Sequence, residues 1–341
     1  MTLDHALLVS RRDPARAEVV DVEMEPLAAG AIRLRIDRFG LTTNNVTYAA
    51  LGEAFHYNKF FPAPDSPQSD GWVGLPVWGL ATVVESQAPA LAVGAGVYGF
   101  FPAAAYATLT PAREAPTGFV VERPHIPPEF AIYHQYHVAD RDPFHAPGRD
   151  DAVVVFRPLF LTGLLLADRL VARDFEGADA VVVSSASSKT AYGVAAALRR
   201  GPAAREVIGL SSARHRAFAE GLGVYDRVLA YDDLAAIAPG TSIVHVDIAG
   251  GGKIRAALAE RLGDGFKLDL GVGVTHGVGG PRPTVRHELF FAPAWLLRRV
   301  RAARDLYFVL FYFWCAISTM GKGPAGLAIP IAVAGSWLVV S

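Results

Sequence analysis

The sequence predicts an α/β protein in two parts, a β-rich front followed by a doubly wound parallel sheet, and three observations carry that prediction. Short alternating strands fill the N-terminal third of the chain. From Val181 onward β-branched runs alternate with helical stretches, the pattern of a parallel sheet covered by helices on both faces. Between 178 and 200 the chain reads ADAVVVSSASSKTAYGVAAALRR. There an apolar run breaks into a hydroxyl-rich turn (Ser184, Ser185, Ser187, Ser188) and passes through Lys189 and Thr190 into an alanine-rich helix. In a doubly wound sheet such a junction aims backbone N–H groups and the positive end of a helix dipole at a phosphate.

Taken in order, strands are expected over 6–22 and 31–38, divided by the turn at 26–30. Asn44 and Asn45 follow the break at Gly40. An aromatic- and proline-rich loop then runs from 55 to 78, of a length that marks either a functional loop or a surface loop whose aromatics patch the core. Strands resume at 79–85 and 97–101, and mixed strands and loops fill 106–155. The cluster Tyr133, His134, Gln135, Tyr136, His137, with His145 nearby, has no i, i+4 histidine pair and no carboxylate at ligand spacing, so it is assigned no metal. Helical periodicity covers 156–171, with Leu161, Leu164, Leu165 and Leu166 on the buried side. Five strands follow, at 181–184, 206–210, 227–231, 242–247 and 266–272, with helices ending at 200, 221, 237 and 261.

Composition narrows the function. At 341 residues, 52% hydrophobic and 19% charged, the chain has material for two cores. A net charge of −1, with 32 Lys and Arg against 33 Asp and Glu, gives no pull toward nucleic acid. The one cysteine, Cys315, excludes an intrachain disulfide and a cysteine-built zinc site, and makes a reducing, cytoplasmic compartment the expectation. The opening MTLDHALLVSRRDP lacks the basic start and uninterrupted apolar core of a signal peptide.

The segments EVVDVEMEPLAAGAIRLRIDRFGLTTNN, GLATVVESQAPALAVGAGVYGF, LTGLLLADRL and IVHVDIAGGG, in that order, resemble the medium-chain dehydrogenase/reductase superfamily over nearly all of residues 1 to about 300. More narrowly, FFPAP, RPLF, SSASSKTAYG and FFAP together are similar to a bacterial subgroup catalogued as a domain of unknown function. The resemblance implies a GroES-like β-barrel catalytic domain starting over 1–150, a Rossmann dinucleotide-binding domain over 151–272, and a return to the catalytic domain over 273–341. Zinc enzymes of the superfamily need cysteine and histidine ligands in the barrel, and no cysteine precedes Cys315. The zinc-free quinone oxidoreductases and enoyl reductases are therefore the analogy. They imply an NADPH-dependent reductase of a small carbonyl, quinone or enone, with a homodimer as the oligomer to test.

Ser185, Ser188 and Lys189 stand where that superfamily's phosphate turn usually has glycines, while Ala191 fills the last, packing position. Two readings follow. In one, the hydroxyls of Ser185, Ser187, Ser188 and Thr190 and the charge of Lys189 hold a pyrophosphate. In the other, these side chains occupy its volume and the turn only caps a helix, which would make the protein a non-catalytic nucleotide-binding or sensing protein. A Walker A loop is excluded because both of its glycines are missing.

One strand later, Ser211-Ser212-Ala213-Arg214-His215-Arg216 contains no acid. Ser211, Arg214 and Arg216 favour a 2′-phosphate, hence NADP(H) over NAD. By resemblance, Asp247 ends the fourth Rossmann strand beside the cofactor, and Thr275 and His276 in GVGVTHGVGG lie near the nicotinamide. Asn45, Tyr48 and Tyr57 belong to segments that face the cleft in relatives, and are the candidate catalytic donors to a substrate oxygen.

After Arg298, Arg299, Arg301 and Arg304 the composition changes: from 306 to 341 the only charged side chain is Lys322. The apolar runs 306–317 and 325–340 are each shorter than the about 20 residues a membrane-spanning helix needs. Three explanations stand: a buried or interface segment, a membrane contact, or a tail altered by a reading-frame change. The last accounts best for the sudden loss of resemblance.

Overall fold

A computed structural model of the chain describes residues 3–13, 15–63, 71–201, 205–273 and 285–302. The expected contacts Thr275 and His276, and the apolar tail, lie outside the described residues. The chain divides into two compact units between Phe156 and Arg157.

The first unit is built of antiparallel strands. β1 (Leu3–Ser10), flanked by β2 (Ala17–Glu23) and β4 (Trp72–Gly74), makes a three-stranded sheet. A seven-stranded sheet joins β3 (Ile32–Gly40), β5 (Pro76–Ser86), β6 (Gly96–Pro102), β7 (Tyr106–Leu109), β8 (Arg113–Ala115), β9 (Gly118–Val120) and β10 (Gln135–Val138) in the order β7-β3-β5-β6-β10-β9-β8. Irregular register between β3 and β5 curls this sheet. The segment after β6 ties the two sheets together: Leu7 N–H donates to Ala103 O and Ile36 N–H to Ala105 O, both at 2.8 Å. The result is a GroES-like half-barrel filled by Ile32, Leu34, Val83, Phe100 and Phe101.

Helix α1 (Thr43–Ala50) departs from the sequence reading, which has no helix there. Its residues, TNNVTYAA, are mediocre helix formers without a clear apolar period. It is fixed instead by a capping box, in which Asn44 N–H donates to Thr42 Oγ1 at 3.3 Å and Thr42 N–H to Asn45 Oδ1 at 2.8 Å. The long aromatic loop is also shorter than expected, because β4 and the start of β5 fall within its last residues.

Helix α2 (Asp150–Ala172) begins six residues before the expected start at 156 and carries Pro158 inside. Pro158 lacks an N–H, and its own carbonyl accepts the hydroxyl of Thr162 at 3.1 Å. In the second unit six strands run parallel: β11 (Ala180–Val183), β12 (Glu206–Ser211), β13 (Arg227–Ala230), β14 (Ile243–Asp247), β15 (Phe266–Gly271) and β16 (His287–Leu289). Their order, β13-β12-β11-β14-β15-β16, reverses direction between β11 and β14, which is the Rossmann arrangement. Helices α3 (Lys189–Arg200), α4 (Ala213–Gly221), α5 (Gly252–Leu262) and α6 (Ala292–Ala302) complete the unit. The helix expected to end at 237 is only a 3₁₀ turn, Leu234–Ala236, because Asp232-Asp233 and Pro239-Gly240 leave too little chain between them.

Helices α2 and α3 approach closely where two glycines meet. A Cβ on Gly163 would stand 2.9 Å from the backbone of Gly193 and Val194.

Candidate functional site

The carboxyl edge of the parallel sheet gathers most of the sequence-predicted residues of the second unit. Ser184, directly after β11, is buried, and its hydroxyl lies 3.2 Å from Asp247 Oδ1 and accepts the Ile248 N–H at 3.1 Å. That pair locks the loops after β11 and β14, on either side of the point where strand order reverses. Ser185 adopts φ 53°, the left-handed conformation that favours glycine, so the turn keeps a glycine's geometry without a glycine. Its N–H donates to the hydroxyl of Tyr231, just beyond β13, at 2.9 Å. Ala186 donates its N–H to Leu210 O at 2.9 Å and accepts from the buried Tyr225 hydroxyl at 2.8 Å. Gly209 makes room for this packing: a Cβ there would stand 2.9 Å from Ala186 Cβ and 3.0 Å from the Tyr225 ring.

Ser188 caps α3, its hydroxyl accepting the Ala191 N–H at 3.3 Å. Lys189 and Thr190 then occupy the first two helical positions, where backbone donors have no acceptor inside the helix. Ser187 is half-buried in the turn itself. The structure thus brings Ser185, Ser187, Ser188, Lys189 and Thr190 into one turn whose chemistry, N–H groups, hydroxyls and a cation, suits an anion.

At the end of β12, Ser211 is buried and Ser212 is the N-cap of α4. The two arginines diverge. Arg216 pairs with Glu220 one turn along α4, Nε to Oε1 at 2.8 Å. Arg214 is exposed and makes no ion pair among the described residues.

Asp247 is buried and spends its oxygens inside the protein. Oδ1 accepts the N–H groups of Ala249, Gly250 and Gly251 at 3.3, 2.9 and 3.2 Å. Beside it, His245, Asp269 and His287 are cross-strand neighbours on β14, β15 and β16. Each histidine presents Nδ1 to a different oxygen of Asp269 at 2.7 Å. Ligand-type atoms of His245, Asp247 and Asp269 lie within 4.8 Å of one another. Arg255 from α5 already brings a positive charge to both acids, with Nε 2.5 Å from Asp269 Oδ2 and Nη2 3.4 Å from Asp247 Oδ2. Burial opposes ionisation of Asp269, but the hydrogen bond and charge of His245, the charge of Arg255 and the hydrogen bond of His287 outweigh it and hold the carboxyl below its ordinary value.

In the first unit, Asn45 Nδ2 donates to Pro76 O at 3.2 Å while Oδ1 serves the capping box, so this side chain anchors α1 to β5. The Tyr48 and Tyr57 rings pack at a 48° tilt with centroids 4.4 Å apart. The Trp78 indole N–H donates to the Tyr48 hydroxyl at 3.2 Å, and the Tyr57 and Tyr133 hydroxyls lie 3.1 Å apart. Three phenols and an indole thus form one buried cluster, in which Tyr48 and Tyr133 influence one another's ionisation. Burial pushes the Tyr48 phenol up to about 12 and raises Tyr57 and Tyr133 as well, so all three hydroxyls keep their protons at neutral pH.

Against known proteins, the family described as "Protein of unknown function (DUF2855)" matches residues 39–305. The chain belongs to the DUF2855 family. No curated protein matches it significantly. Among solved structures, the fold of this DUF2855 protein is similar to CurA from Vibrio vulnificus in complex with NADPH, at 14% identity and TM-score 0.59 over 90% of this chain and 88% of that one. It is also similar to the CurK enoyl reductase, at 14% identity and TM-score 0.51 over 91% and 88%. The mycobacterial protein Rv1454c complexed with NADPH matches at 14% identity and TM-score 0.50 over 93% and 89%. The fold shared with these structures is a curled antiparallel GroES-like half-barrel followed by a six-stranded Rossmann-like parallel sheet. Among the described residues no helix of this family member is long and apolar enough to cross a membrane.

Four participants in these sites have no role in the sequence reading: Tyr231, Tyr133, Trp78 and the ladder His245-Asp269-His287. Tyr231 carries the one usable signal, an aromatic hydroxyl at the carboxyl end of a strand in a doubly wound sheet. The others depend on strand pairing, which no local pattern encodes.

Proposed function

We propose that the protein is a cytoplasmic, zinc-independent, NADPH-dependent reductase acting on a small carbonyl, quinone or enone. The observation that carries this reading is Arg214, an exposed cation at the start of α4 with no ion-pair partner among the described residues, beside Ser211 and Ser212 and with no acid at the end of β12. That donor set suits the 2′-phosphate that distinguishes NADP(H) from NAD. The turn suits the pyrophosphate, because Ser185 holds the left-handed position and the first turn of α3 offers donors together with Ser187, Ser188, Lys189 and Thr190. CurA and Rv1454c, both solved with NADPH, and CurK, an enoyl reductase, support the same cofactor and reaction class.

NADPH, when bound, supplies the hydride. The chain's own contribution is to hold the cofactor's phosphates and to stabilise charge on the substrate oxygen. Tyr48 and Tyr57 are the proposed donors there: burial keeps both protonated, so they act as hydrogen-bond donors to a developing oxyanion. Asn45 positions them by fixing the start of α1. Following NADPH oxidation against a panel of quinones, enones and aldehydes, with and without a chelator, tests the reading. Turnover unaffected by the chelator is expected; turnover abolished by it would remove zinc independence.

One observation favours a second reading, a non-catalytic sensing protein. The Ser185 N–H and the phenols of Tyr48, Tyr57 and Tyr133 are already satisfied by partners within the protein. Cofactor binding without turnover of any compound in the panel would establish it.

A further inference from the structure

Ser212 and His215 form a hydrogen-bonded pair at the start of α4, with Ser212 Oγ 3.1 Å from His215 Nδ1. Ser212 is the N-cap of that helix, where a serine hydroxyl ordinarily accepts the N–H of the second or third helical residue. Here it accepts neither and is given to the imidazole instead. No side chain therefore caps the first-turn donors of α4.

The surroundings of the pair are basic. Arg214 and His215 are both exposed, neither makes an ion pair among the described residues, and the first turn of the helix contains no acid. The negative groups nearby are directed elsewhere. Glu220 pairs with Arg216 at 2.8 Å, and Asp233, beyond β13, acts on Arg216 as well. Asp232 beside it is exposed and pairs with neither Arg214 nor His215. On β12 and β13, the strands that α4 packs against, the charged residues are Glu206 and Arg227; they lie at the opposite, amino-terminal ends and pair with one another at 2.6 Å.

What the pair can donate depends on one proton. With a neutral imidazole, the bond between the two side chains consumes one of their two hydrogens and leaves one donor: Nε2–H if the serine donates, the serine O–H if Nδ1–H does. Protonation adds a hydrogen and a charge. Nδ1–H then donates to the Ser212 oxygen, and both the serine O–H and Nε2–H are free for an outside acceptor. A phosphate dianion gains from the second donor and from the charge, whereas a ribose hydroxyl gains little from either.

On the reading of this helix start as the 2′-phosphate site, on which the inference rests, we propose that His215 is a further specificity-determining residue and that its protonation sets how strongly the protein prefers NADP(H) over NAD(H). Histidine is the side chain whose ordinary charge change falls between about pH 5 and 8, so the preference is strongest on the acid side and weakens as pH rises.

Calorimetric titration of the full-length protein with NADP⁺ and with NAD⁺, at constant ionic strength between about pH 6.5 and 8.5, tests it; a phosphomonoester is already mostly dianionic there, its second pKa being about 6. The ratio of the two affinities should be about three- to tenfold larger at the acid end than at the alkaline end, the effect of one charge-assisted contact at an exposed, salt-screened position. His215→Gln should make the ratio independent of pH. In the unaltered protein, NADP⁺ should also raise the midpoint of the His215 ring titration seen by NMR, and NAD⁺ should not. A preference for NADP⁺ that is constant with pH, or that varies equally in His215→Gln, overturns the role of His215 and leaves the 2′-phosphate reading in place. Equal binding of the two nucleotides at every pH removes that reading and the role of His215 with it.

Discussion

The hydroxyl of Tyr231 accepts the backbone N–H of Ser185 at 2.9 Å, the turn residue held at φ 53°. A side chain from beyond β13 thus braces the one residue of the serine-rich turn held in the left-handed conformation. Tyr231→Phe leaves a partly buried N–H without its acceptor and should cost about 1–2 kcal/mol. Urea denaturation checks this, and coincident midpoints for the two proteins would show that the bond stabilises nothing.

The glycine pair between α2 and α3 makes an asymmetric prediction. An alanine Cβ at Gly163 meets backbone at 2.9 Å, which only a helix shift can relieve, whereas at Gly193 the nearest atom is Phe160 Cδ1 at 3.0 Å, on a ring that can turn. Gly163→Ala should therefore cost about 1–3 kcal/mol. Gly193→Ala should be nearly neutral, because the helix propensity gained, up to about 1 kcal/mol, offsets the contact. Thermal melts that fall equally for both variants would contradict this packing.

The ladder beneath α5 governs acid stability. The Asp269 carboxyl is held below its ordinary value of 3.8, so its contribution is complete above that pH and is lost as pH falls through the lower, folded value. Asp269→Asn leaves Arg255 and two histidines without their shared anion. It should cost about 3–5 kcal/mol at neutral pH and flatten the acid limb of the stability curve. Stability measured by denaturant between pH 2 and about 7 provides the check. An unchanged acid limb would remove Asp269 from the account.

At the alkaline end the phenol cluster sets the limit. The Tyr48 phenol rises from 10.0 to about 12 in the fold, so the stability it contributes is intact below pH 10 and is lost as pH climbs toward about 12. Ultraviolet titration should show phenolate appearing together with loss of tertiary structure. Tyr133→Phe, which removes one member of the network, should change that transition; phenolate formation in a fully folded protein would contradict the burial.

How far the sequence reached follows from what each feature depends on. The Rossmann strands β11, β12, β14 and β15 were legible because β11 and β14 are fully buried, β12 and β15 nearly so, and all read as largely apolar runs closed by turn residues. The serine-rich turn was legible as a turn by its position between strand and helix. Helix α1 was not, since Thr42 and Asn45 define it by capping rather than by periodicity. The start of α2 was obscured by Pro158. The roles of Tyr133, Trp78 and Asp269 arise only once distant segments pair, and Asn45 proved to be bound within its own cap and to β5.

Equilibrium titration with NADPH and with NADH, for the unaltered protein and for Arg214→Ala, tests the central claim most directly. The account predicts tighter binding of NADPH, with Arg214→Ala losing most of that preference while NADH affinity stays the same. Binding of neither nucleotide, or a preference for NADPH that survives the loss of Arg214, would contradict it.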